Sequence, residues 1–297
     1  MPDAPANGIT LHYGTFGDRD GEPLLLITGL GAHMISWDDV LCDALAGRGH
    51  YVIRFDNRDV GLSTHIDWAG VPDLGTALAQ AIAGEPVAAP YTLWDMADDV
   101  AGLLDHLGID AAHVAGASLG GMIGQCLALR YPHRVRSLTS IMASTSERDL
   151  PPARPEAAAL LLTPAPADRA GYVDHMAGVA RILAGARYPP EEERVRRRAE
   201  AVFERNLDGA GIARQLVAGL AAAGRREALG AIDVPTVVIH GSDDPLVPPA
   251  HGAATAAAIP GAELIVIDGM GHDLPTGAWG QIVEAITRNT AAARRAA

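Results

Sequence analysis

The stretch HVAGASLGGMIG, His113 to Gly124, sets a serine between glycines two residues away on either side, where an apolar run meets a helix-like run. A plain turn is satisfied by one glycine. Gly116, Gly120 and Gly121 together imply backbone brought unusually close to something else. With Ala112 to Gly116 reading as a strand and the following run as a helix, Gly116-Ala117-Ser118-Leu119-Gly120 reads as a strained turn that lifts the serine hydroxyl above a sheet.

The rest of the chain supplies that sheet. Short apolar runs alternate with longer segments of helical period, the pattern of a largely parallel sheet covered on both faces. The strand candidates are Pro23 to Thr28, Tyr51 to Phe55, Ala112 to Gly116, Ser137 to Met142, Thr236 to Gly241 and Glu263 to Asp268, with a weaker one at Ile9 to Gly14. In LWDMADDVAGLLDHLGI the apolar residues Leu93, Met96, Val100, Leu103, Leu104 and Leu107 form one helix stripe, with acids outside it. From about Ser144 to Ala231 the strand signal stops and Ala, Arg, Glu and Pro dominate. Strands resume after it, so 144–231 reads as a helical insertion into a core made of 1–143 and 232–297.

Composition narrows the function classes. The chain has 297 residues, 48% hydrophobic and 20% charged, enough to bury a large core, as one domain with an insertion or as two. A net charge of −13 disfavours attraction to nucleic acid or to an anionic membrane surface. Cys42 and Cys126 lack the spacing of a zinc site or a disulfide framework, so unpaired buried thiols are expected. No apolar run approaches the length needed to cross a bilayer, and a cytoplasmic protein with a small-molecule substrate follows as the expectation. Nothing in the sequence decides between monomer and homodimer.

A serine nucleophile needs a base, and the base needs an acid to orient it and stabilise the imidazolium. In a sheet of this kind acid and histidine follow the serine in that order. After the last two strands stand HGSDDPLVPP and IDGMGHDLP, which offer Asp244 and His272 at the sheet edge where ligands gather. Asp243 rivals Asp244, which is preferred because Pro245 fixes the turn after it. Acyl transfer also needs donors for the oxyanion. The backbone N–H groups of Leu119 and, in the loop after Pro23–Thr28, Leu30 are expected to supply them, with Gly31 leaving room for substrate. Gly29, Gly31, Trp37 and Met142 are the candidates for lining the pocket, with His33 beside them in the loop. RFDNRDVGLST reads as a loop whose arginine and aspartate hold its turn.

These motifs carry a resemblance. From about residue 8 to the C-terminus, apart from the helical segment, the chain resembles the α/β-hydrolase fold family. RFDNRDVGLST, HVAGASLGGMIGQ, HGSDDPLVPPAHG and IDGMGHDLP are most similar to aclacinomycin methylesterase-like hydrolases. The resemblance implies a serine esterase that cleaves a carboxylic ester through an acyl-enzyme on Ser118, with Asp244 as acid, His272 as base, Leu30 and Leu119 as oxyanion donors, the insertion as a cap, and no metal or organic cofactor. Many members begin the oxyanion loop with His-Gly where this chain has Thr28-Gly29, which leaves that loop's hydrogen-bond support unassigned. The same triad also serves cofactor-free haloperoxidases or perhydrolases, lactonases and carbon-carbon bond hydrolases. A ligand-binding protein on a hydrolase scaffold is the reading from another class.

Overall fold

A computed structural model describes residues 1–296. Eight strands, β1 (Asp3–Ala6), β2 (Ile9–Phe16), β3 (Glu22–Ile27), β4 (His50–Phe55), β5 (Ala112–Ala117), β6 (Val135–Ile141), β7 (Thr236–Gly241) and β8 (Glu263–Ile267), form one sheet in the order β1-β2-β4-β3-β5-β6-β7-β8. The β1–β2 and β2–β4 pairs are antiparallel. Every pairing from β4 across to β8 is parallel. The helices are α1 (Asp39–Ala46), α2 (Leu74–Ala83), α3 (Leu93–Leu107), α4 (Leu119–Arg130), α5 (Pro155–Leu160), α6 (Arg169–Leu183), α7 (Glu192–Asn206), α8 (Gly209–Leu220), α9 (Pro249–Ala258) and α10 (Trp279–Ala296).

The central strands are continuous apolar runs because both faces are covered. Side chains alternate along them. Leu25, Ile27, Ile53, Phe55 and Val114 join the core under α3 and α4, while Leu24, Leu26, Val52, Ala115 and Ile239 join the one under α1 and α10. The whole α3 stripe from Leu93 to Leu107 is buried, and each large side chain in it contributes about 1.5–3 kcal/mol of burial. Thr92 and Asp95 close a reciprocal capping box at the start of that helix, satisfying donors the first turn leaves free.

Register aligns the strand ends that matter. Ile27 pairs with Gly116, Ala117 with Ile141, and Gly241 with Ile267, so the loops leaving β3, β5, β7 and β8 emerge along one edge. Helices α5 to α8 all fall between β6 and β7, and the segment 144–231 contains no strand. There α6 and α7 close a small core of their own around Tyr172, Val173, Ala199 and Val202. Both cysteines are free and buried, and burial pushes the Cys42 thiol up to about 12 and the Cys126 thiol to about 11. Among the described residues no helix is long and apolar enough to cross a membrane.

Candidate active site

The turn from β5 into α4 is as tight as its glycines suggest. A Cβ on Gly116 would overlap the Gly120 carbonyl, and one on Gly120 would overlap the Ile27 carbonyl at the end of β3. Ser118 between them has φ +55° and ψ −120°, a conformation side chains seldom adopt and one that surrounding contacts must enforce. Those contacts include Ser118 N–H donating to Ile141 O at 2.8 Å, and Gly121 N–H and Met122 N–H donating to Ser118 O.

Ser118 Oγ lies 3.0 Å from His272 Nε2, and His272 Nδ1 lies 2.7 Å from Asp244 Oδ2. Asp244 is 2% exposed, and its other oxygen accepts the N–H groups of Leu246 at 2.9 Å and Val247 at 2.8 Å. With the carboxylate saturated this way, Nδ1 of His272 carries the proton and Nε2 is left to accept from the serine. Burial would raise the Asp244 carboxyl, but the His272 ring, hydrogen bonds from His240 and His272 and the Val247 N–H outweigh it. They hold it well below the usual carboxylate range. A hydroxyl, an imidazole and an ionised carboxylate in series can remove a proton from the hydroxyl as it attacks a carbonyl.

The start of α4 and the loop after β3 both lie against the serine. Leu119 opens α4, so its N–H has no acceptor within the helix. Gly29, next to Leu30, sits against the serine, since a Cβ there would stand 3.2 Å from that of Ser118. A model of the alpha/beta hydrolase fold family matches residues 22–275. The chain belongs to the α/β hydrolase fold family.

Known proteins are similar over four-fifths of the chain or more. Rhodomycin D methylesterase DauP of Streptomyces sp. (strain C5) is 32% identical, with 96% of each chain covered. A putative carbamate hydrolase, RutD, of Variovorax paradoxus (strain S110) is 34% identical over 81% of this chain and 80% of its own. Among solved structures, the enol-lactonase from Burkholderia xenovorans LB400 superposes with a TM-score of 0.72 at 26% identity, covering 99% of this chain and all of that one.

In this α/β hydrolase several residues singled out from sequence stand elsewhere than at a pocket wall. Trp37 is 1% exposed and packs in the core with Leu24, Leu41 and Ile282, while its carbonyl accepts from the buried Arg54 guanidinium. Met142 has φ +44° and turns into the same core. Gly31 does not leave open space for a substrate: the Ile212 side chain of α8 covers it, and its φ of +65° is what calls for glycine. His33 is buried, and burial drives its pKa down to about 4, so it is a neutral ring at neutral pH. Asp243 does not face His272; it accepts the Ala186 N–H at 3.0 Å.

The departure at Thr28 has a structural answer that motif reading missed. Asn57 Nδ2 donates to both the carbonyl and the hydroxyl of Thr28 at 3.1 Å, and Asp56 accepts the Met34 N–H at 2.7 Å. RFDNRDVGLST therefore braces the loop after β3; Asp56 also holds its own turn through the Leu62 N–H at 3.0 Å, whereas Arg58, expected to share that task, turns to Asp99 on α3 at 2.6 Å. Among the described residues, Asp59, His65 and Asp208 alone bring three possible ligand atoms together for a metal ion. The Arg214 guanidinium already lies 2.7 Å from Asp59 and 3.3 Å from Asp208, so that group has its cation.

Proposed function

We propose that the protein hydrolyses a carboxylic ester through an acyl-enzyme on Ser118. The observation that carries this reading is the serine–histidine–aspartate series at 3.0 and 2.7 Å, set on a turn whose flanking glycines leave no room for a Cβ. Ser118 Oγ attacks the ester carbonyl as His272 Nε2 takes its proton. Leu30 and Leu119 N–H groups hold the oxyanion that forms, a stabilisation worth about 10² to 10³ in turnover per donor. Collapse expels the alkoxide, which takes the proton from His272. Water then attacks the acyl carbon, again losing its proton to His272, and the acid and free serine are restored.

No step calls for a metal or an organic cofactor. The similarity to a methylesterase across 96% of both chains supports an ester with a small alcohol as leaving group. The segment 144–231 is proposed as a cap over the site, and Ile212 lying on Gly31 fits that reading. Two buried thiols left unpaired fit a reducing compartment, the cytoplasm.

A second reading keeps the chemistry and changes the substrate. A lactone is an ester whose alcohol stays tethered to the acyl group, and the structural likeness to an enol-lactonase favours testing it. A panel of p-nitrophenyl esters of graded acyl length, run with simple lactones and beside Ser118→Ala, separates these. Esterase activity should fall by about 10⁶ in the variant. Turnover of lactones alone would move the assignment to the second reading, and an alanine variant as active as wild type would end both.

A further inference from the structure

We propose that Gln215, on α8, is a positioning residue for the oxyanion donor at Leu30, so that the segment between β6 and β7 sets reaction geometry as well as covering the site. The inference rests on the ester-hydrolase reading above and deepens it. Gln215 is completely buried, and both ends of its amide bind backbone groups. Its Oε1 accepts the Gly31 N–H at 2.9 Å, and its Nε2 donates to the Arg58 carbonyl at 2.7 Å. One planar group thus ties together the loops that follow β3 and β4.

The place where it grips matters. Ala32 N–H donates to Gly29 O at 3.2 Å, which makes residues 29–32 a β-turn with Leu30 and Gly31 at its centre. The Gly31 φ of +65° is that of the third residue of a type II turn. Type I and type II turns differ by a flip of the central peptide, the one that carries the Gly31 N–H. An acceptor fixed on that N–H selects one form and pins the peptide that follows Leu30, anchoring the turn from which the Leu30 N–H is to reach the oxyanion.

The grip is itself held. Arg58 is clamped by Asp99 through two hydrogen bonds of 2.6 Å, and Arg214, next to Gln215, is clamped by Asp59 at 2.7 Å. Ile212, on the same helix, packs over Gly31. The start of the loop is fixed from the core by Asn57 on Thr28, and its crest is fixed from α8 by Gln215. Preorganised donors stabilise an oxyanion only if they need not move when it forms.

The test compares wild type with Gln215→Leu, using p-nitrophenyl acetate as substrate and a trifluoromethyl ketone as inhibitor, whose serine adduct places an oxyanion where the reaction does. The expected result is a fall in kcat of about 10- to 100-fold, a matching rise in the ketone's inhibition constant, and a KM within about threefold of wild type. A kcat and inhibition constant within about twofold of wild type, or a fall in kcat with ketone binding unchanged, would overturn the inference. If the leucine variant does not fold, Gln215→Asn, which keeps the amide but shortens its reach, is read by the same two quantities and the same criteria. Ser118→Ala separates the levels: if it keeps turnover, the ester-hydrolase reading falls, whereas wild-type behaviour of the Gln215 variants with an inactive Ser118→Ala removes this inference alone.

Discussion

Asp243 and Asp244 are neighbours in the chain and serve opposite sides of one loop. Asp244 Oδ2 receives the His272 ring at 2.7 Å, while Asp243 Oδ2 turns away to the Ala186 N–H in the linker between α6 and α7. Replacing Asp244 with Asn removes the charge that stabilises the imidazolium and allows the wrong tautomer, so kcat should fall by about 10³ to 10⁴. Asp243→Asn keeps an acceptor for the linker, and its kcat should stay within about tenfold of wild type. Steady-state kinetics of the two variants decide this, and equal losses would contradict the assignment.

The loop after β4 is joined to α8 by a buried ion pair. The Arg214 side chain is 1% exposed and Asp59 is fully buried, with Tyr91 donating to the same carboxylate at 2.7 Å. Breaking such a pair on one side leaves an uncompensated charge in the interior. Arg214→Met should therefore cost about 3–5 kcal/mol in urea unfolding. Adding Asp59→Asn, which tolerates the φ of +70° at that position, should recover part of the loss. A double variant less stable than Arg214→Met would argue against the pair.

Asp273, directly after His272, has a buried Oδ1 with no hydrogen-bond partner among the described residues. Burial raises its carboxyl to about 6, with Asp244 adding to the rise and the His272 and Arg198 charges opposing it. Its folded value is above its unfolded one, so the native state binds more protons between about pH 4 and 6, and stability falls as pH rises through that window. Asp273→Asn removes the penalty. Its stability advantage over wild type should be near zero at the acid end, grow through pH 6, and level off at about 1–3 kcal/mol. Urea midpoints across this range measure it, and an advantage independent of pH would count against a strained carboxylate.

How legible all this is in the sequence depends on the range of the interaction. The elbow is local: strand, glycines and helix lie within His113–Gly124, and the geometry found there follows from those residues. The strands from β3 to β7 announce themselves as apolar runs because both faces are buried, whereas β8, at the sheet edge, keeps an apolar run with three of its five residues exposed. The edge strand β1 has only four residues, half of them exposed, and gives no such pattern; α2 has a single buried residue and is silent for the same reason.

Trp37 stands near a glycine-rich loop in sequence, yet the turn after that loop carries it beneath the sheet, a displacement that only tertiary packing shows. Asn57 and Gln215 act on backbone groups 29 and 184 residues away. Backbone is the same at every residue, so no pairing of side-chain types betrays Gln215, and the one side-chain partner of Asn57, the Thr28 hydroxyl, lies too far along the chain to form a motif.

The central claim is a covalent bond to one oxygen. Wild-type protein mixed with p-nitrophenyl acetate, quenched in acid within the first turnovers and digested for mass spectrometry, should show one acetyl group on the peptide that contains Ser118, formed with a stoichiometric burst of p-nitrophenolate. Hydrolysis that proceeds with no adduct on that peptide, or with the adduct on another side chain, would contradict the account.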